Sequence, residues 1–139
     1  MANEQIKAIA TRVIEAINQR NLDWLDELIA ADAQDHAAPL DLPPTREATK
    51  IYINQLLSAF PDFRYTIEFT ISEKDKVMQR LQARGTMKGD FMGFHATGKY
   101  ATWTESHISR FARGKLVEHW AYIDQANMMQ QLGLASGQD

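Results

Sequence analysis

An α+β fold, three helices packed on a curved antiparallel sheet that closes into a cone-shaped barrel, follows from three features of the sequence. Apolar residues recur at helical spacing as far as Phe60, the period changes to two at Tyr65, and the glycines 85, 89, 93 and 98 interrupt the strand region where a sheet would bend. The 139 residues are read as a single domain, 1–139, with residues 135–139 expected to fray.

In the first helix, from residue 4 to about 19, Ile6, Ile9, Ala10, Val13, Ile14 and Ile17 form the apolar stripe and Asn3 is the expected cap. A second helix is expected from Asn21 to near Asp32, burying Trp24, Leu25, Leu28 and Ile29. Pro39, Pro43 and Pro44 then force an extended loop, with His36 at its entrance. Thr45 caps a third helix, in which Ile53, Leu56, Leu57 and Phe60 repeat and Pro61 forbids continuation. Tyr65, Ile67, Phe69 and Ile71 make the buried face of the first predicted strand. In the next, Val77, Leu81 and Ala83 oppose Met78, Arg80, Gln82 and Arg84. A last hairpin pairs 99–111 with 115–123, and a short helix from Gln125 ends at Gly133.

Composition excludes several functions. A formal charge of −3 offers no field for nucleic-acid phosphates, and no apolar run approaches membrane-spanning length. There is no cysteine, hence no disulfide, thiolate nucleophile or Cys-ligated zinc, which fits a cytoplasmic protein. P-loop, dinucleotide and serine-hydrolase motifs are absent.

Arg resists the positive φ that a two-residue turn would demand at Arg113, so the hairpin is expected to use a three-residue loop with Gly114 left-handed. Phe111 then faces Lys115, Ser106 faces Trp120 and Thr102 faces Asp124. That register sets Asp124 beside Trp120 and Tyr122 on one sheet face, a carboxylate whose basicity partial desolvation would raise. As the alternative, Asp124 only caps the last helix. Arg110 and Glu118, on the same face, read as an ion pair. His107 and His119 lie opposite each other on the other face, where a cross-strand pair is favoured over a metal site because only Glu105 is near enough to add a ligand. That other face, with Trp103, His107, Phe111, Val117 and Ile123, is the expected dimer surface.

Phe60-Pro61-Asp62-Phe63, Arg84-Gly85-Thr86, the run from Gly89 to Lys99, Arg110-Phe111, the run from Gly114 to Trp120 with Asp124, and Gln131-Leu132-Gly133 occur in the order of a known family. Over about residues 5 to 134 the chain resembles the SnoaL-like polyketide cyclase (ester cyclase) family of the nuclear transport factor 2-like superfold. The resemblance implies an apolar pocket for a small hydrophobic molecule, a homodimer or homotetramer, and no metal or organic cofactor. It makes Asp124 the acid and base of an intramolecular aldol closure. His36, Trp120, Tyr122, Arg80, Arg84 and Phe91 are the candidate substrate-binding residues. Met87 stands where many members carry His. The alternatives are a non-catalytic binding module, or an isomerase or dehydratase on the same fold.

Overall fold

The computed structural model describes residues 2–39 and 41–134; the expected fraying of 135–139 falls outside them. Helix α1 (Asn3–Asn18) buries Ile6, Ala10, Ile14 and Ile17 and packs across the sheet. It begins one residue earlier than expected, so Asn3 lies inside its first turn, and the Gln5 side chain accepts from the Ala2 N–H at 3.0 Å. Helix α3 (Arg46–Ala59) is capped by Thr45, whose hydroxyl accepts from the Ala48 N–H. Helix α4 (Gln125–Gln131) closes the chain and packs on β4 (Tyr100–Ala112).

Between α1 and α3 the chain departs from the helical reading. After one 3₁₀ turn at Leu22–Trp24, helix α2 (Leu25–Leu28) lasts a single turn and the next residues extend as strand β1 (Ile29–Asp35). Ala30, Ala31 and Ala33 favour helix by propensity, but pairing with β5 (Lys115–Ile123) overrides it. Asn21 makes no side-chain cap. With β2 (Arg64–Glu73) and β3 (Lys76–Thr86), the sheet runs β1-β5-β4-β3-β2. It is antiparallel except for the parallel β1–β5 pair, and it curls without closing.

Parity decides which side chains meet the core. Val77, Leu81 and Ala83 are buried beneath the helices, and β4 pairs so that Ser109, Glu105 and Trp103 stand opposite them on the same face. In β2 a bulge at Glu68 lets Ile67 pair with Leu81 but sets Phe69 opposite Arg80. The slip turns Phe69 and Ile71 outward, 47% and 54% exposed, where uninterrupted alternation would have buried them.

The final hairpin also corrects its expected register. Ala112 pairs with Lys115 across a two-residue turn in which Arg113 and Gly114 take φ of 52° and 79°. The right-handed strand twist selects this turn despite its cost at Arg113. A shift between Arg110 and Phe111 then brings Ser106 opposite Tyr122 and Arg110 opposite Glu118. Trp103 and Phe111, expected on a dimer surface, are only 3% and 2% exposed inside the sheet, because the face assigned to subunit contact is the core face.

Candidate active site

The core face is incompletely filled. A cavity of about 110 Å³ lies between the sheet and α1 and α3, walled by apolar side chains such as Val13, Ile17, Ile53, Leu56, Leu116 and Ile123. Its polar lining is Gln34, Asp35, Arg46, Thr49, Tyr52, Tyr65, Glu105, His107 and His119. Asp35 arrives at the end of β1, Tyr52 and Thr49 from α3, and the histidines and Glu105 from the inward parity of β4 and β5. Tyr65 is set by Asn18, whose side-chain amide donates to the Tyr65 carbonyl at 3.0 Å and accepts from its N–H at 2.8 Å.

These groups form one continuous hydrogen-bonded chain. His119 Nδ1 lies 2.8 Å from Asp35 Oδ1, and its Nε2 lies 2.9 Å from His107 Nδ1. His107 Nε2 is 2.7 Å from Glu105 Oε1. Glu105 also accepts from the Tyr65 hydroxyl at 2.9 Å and from Trp103 Nε1 at 2.7 Å, while Thr49 donates to Asp35 at 2.7 Å.

Donor counting fixes the protons. Burial pushes the Asp35 carboxyl up, but hydrogen bonds from His119, Thr49 and the Ala37 amide outweigh it and bring it down to about 2. Burial raises Glu105 too, and its bonds from His107, Trp103 and Tyr65 again prevail, holding it below the usual carboxylate range. Burial holds His119 below the ordinary histidine value against the pull of Asp35. An ionised Asp35 only accepts, so His119 carries its proton on Nδ1 and offers Nε2 as acceptor. His107 must therefore donate from Nδ1 to His119, which leaves its Nε2 facing Glu105 Oε1. One exchangeable proton thus sits between His107 and Glu105. Without it, two acceptors would face each other across 2.7 Å.

None of the residues expected from sequence to be catalytic or substrate-binding lines this cavity, whereas His107, His119 and Glu105, read there as a cross-strand pair with a near carboxylate, do. Asp124 is exposed and accepts from the Asn127 N–H at 3.3 Å, capping α4. Inward parity in its segment belongs to His119, Ala121 and Ile123, so the stretch from His119 to Asp124 presents no carboxylate to the cavity. Trp120 stacks on His36 outside, with ring centroids 5.1 Å apart, and His36 Nε2 contacts Glu118 at 2.6 Å. Glu118 also binds Arg110 at 2.9 Å, the ion pair expected. Tyr122 is 66% exposed. Arg80 meets Glu68 at 3.4 Å, and Arg84 donates to Thr66 on the same outer face. Phe91 is buried against Phe60 and Tyr52 and borders a separate cleft with Met87 and Met128. His107 and His119 are offset by one strand pair rather than opposed, and among the described residues no three His, Asp or Glu are grouped as a metal ion requires. The missed signal was three polar residues, Glu105, His107 and Ser109, interrupting the inward stripe of Ala101, Trp103 and Phe111.

A cavity enclosed by helices and a curled sheet, with polar groups among apolar walls, is the arrangement of a small-molecule pocket on a cone-shaped α+β fold. The sequence model of the SnoaL-like polyketide cyclase family matches residues 7–132, and the chain belongs to that family. IdmH from Streptomyces antibioticus, named as a candidate polyketide cyclase, is 34% identical, with a TM-score of 0.82 over 93% of this chain and 99% of its own. AclR from Streptomyces galilaeus, named as a candidate hydroxylase, is 26% identical, with a TM-score of 0.83 over 95% of this chain and 98% of its own. TsrD from Streptomyces laurentii shares the fold at a TM-score of 0.88 and 19% identity, over 96% and 98% of the two chains. No curated protein matches the sequence. Among the described residues, no helix is long and apolar enough to cross a membrane.

Proposed function

We propose that the protein catalyses acid/base proton transfer on a hydrophobic carbonyl compound, of the kind that closes a ring by intramolecular aldol addition. The observation that carries the reading is the hydrogen-bonded chain Asp35–His119–His107–Glu105 in the wall of an apolar cavity. In its emptied state the chain removes the proton next to a carbonyl, because taking that proton relieves two facing acceptors. The resulting enolate carbon attacks a second carbonyl of the same molecule. The filled chain then returns the proton to the new alkoxide, so no net proton or electron is consumed. Exclusion of water by Val13, Ile53, Leu56 and Leu116 protects the enolate.

A simple ketone such as 1-tetralone tests the proton step without knowledge of the natural substrate. Exchange of its C2 hydrogens in deuterated water, followed by NMR, should be accelerated by the protein. In His107→Gln, which keeps hydrogen-bonding capacity but cannot shuttle a proton, the acceleration should fall by about 10²- to 10⁴-fold. Undiminished exchange in that variant would overturn the assignment, and a collapse in Asp124→Asn would return the base to the outer position.

A further inference from the structure

The cavity holds two tyrosines in different circumstances. The Tyr65 hydroxyl is committed, donating to Glu105 at 2.9 Å. Tyr52 is not: it lines the same cavity from α3, and its hydroxyl hydrogen-bonds to no other described residue. Its ring rests against Phe91 with centroids 6.0 Å apart, and a middle position in a 14-residue helix limits its movement. The hydroxyl is reached from the cavity rather than sealed in the packing, and an unengaged donor there is a place for a ligand atom.

Only one polarity of ligand atom suits that place. Burial, with the charges of Glu105 and Asp35, pushes the phenol up to about 12, so at neutral pH it is a hydrogen-bond donor and not an anion. The same two carboxylates disfavour a negative group on the ligand, and Arg46, the cation in the lining, is already paired with Asp26 and Glu47 and bonded to the Ile29 carbonyl. A neutral acceptor therefore fits, and on the scale of about 10–15 Å³ per water-sized occupant a cavity of about 110 Å³ admits roughly ten non-hydrogen atoms.

We propose that Tyr52 donates a hydrogen bond to the carbonyl oxygen of an uncharged ketone of about that size, and holds that oxygen as it becomes an enolate. This rests on the proposed proton transfer for its chemistry, but not for its binding step. As the proton leaves carbon, negative charge moves to oxygen, and a donor already in position strengthens as the charge grows.

Infrared spectroscopy of 1-tetralone labelled with ¹³C at its carbonyl reads the contact directly. The carbonyl stretch of the bound ketone should lie lower in the wild type than in Tyr52→Phe, and the variant should bind about fivefold more weakly, the loss of one hydrogen bond. Tyr52→Phe retains the ring against Phe91, so its thermal midpoint should not fall. Tyr100→Phe, at an exposed side chain that does not line the cavity, should leave the stretch unchanged. Identical stretches in wild type and Tyr52→Phe, or no saturable binding of the ketone by the wild type, would overturn the proposal. A lowered stretch with no C2 exchange would keep Tyr52 as the donor and remove the relay as the base. Exchange with an unshifted stretch would do the reverse.

Discussion

The inward-facing Glu105 and His107 of β4 and the outward-facing Glu118 of β5, with Arg110 of β4 and His36 just past β1 against it, both set a carboxylate against an imidazole. Inside, Glu105 is 4% exposed and accepts from an imidazole, an indole and a phenol. Outside, the Glu118 side chain is 21% exposed and meets its imidazole and guanidinium at 2.6 and 2.9 Å. Distances alone do not separate the two clusters. Water does: it competes for and screens every outer contact, whereas the inner chain can be satisfied only by itself. The outer cluster is a surface ion-pair network, and the inner one is an enclosed hydrogen-bonded chain.

The largest effect expected from that contrast is on stability. Glu105→Leu strands three donors in the core and should cost about 3–5 kcal/mol in urea unfolding. Glu118→Leu should cost far less, and equal losses would break the comparison.

Acid should sharpen it next. Below about pH 6.5 the unfolded chain protonates His119 while the folded site resists, so the unfolded state binds more protons and stability falls with falling pH. Asp35 adds a second loss: its contribution, about 2 kcal/mol, is complete above its unfolded value of 3.8 and disappears as pH drops towards 2. Thermal melts should therefore decline from pH 7 to 5 and again below pH 4. A midpoint constant from pH 7 to 5 would contradict the neutral, enclosed His119.

The smallest effect belongs to Asp124→Asn. Asn caps a helix as well as Asp does, so stability should change by no more than about a few tenths of a kcal/mol. A large loss would mean that this exposed carboxylate does more than cap α4.

Most of the architecture was legible because amphipathic periods are local. The stripes of α1 and α3, the Thr45 cap and the alternation of β3 each follow from a few neighbouring residues. The site was less legible because it depends on parity carried over long distances. Which face of β4 turns inward is set by its pairing with β3, where Val77, Leu81 and Ala83 mark the core side; reading the last hairpin alone gave the wrong face. Strand β1 was hidden for a related reason, since its alanines favour helix locally and only β5 supplies the partner that extends them. Phe69 and Ile71 were misplaced by one residue, the bulge at Glu68, which no local period announces.

The parallel pairing of β1 with β5 has a kinetic consequence. Asp35 and His119 are 84 positions apart, so the proton chain closes only after the two ends of the sheet meet across nearly the whole fold. The β2–β3–β4–β5 meander needs only short turns and the 87–99 connection, and loop-closure entropy favours forming it first. In refolding from urea, proton-exchange activity should consequently return after the far-ultraviolet signal of the sheet, and its lag would time the docking of β1.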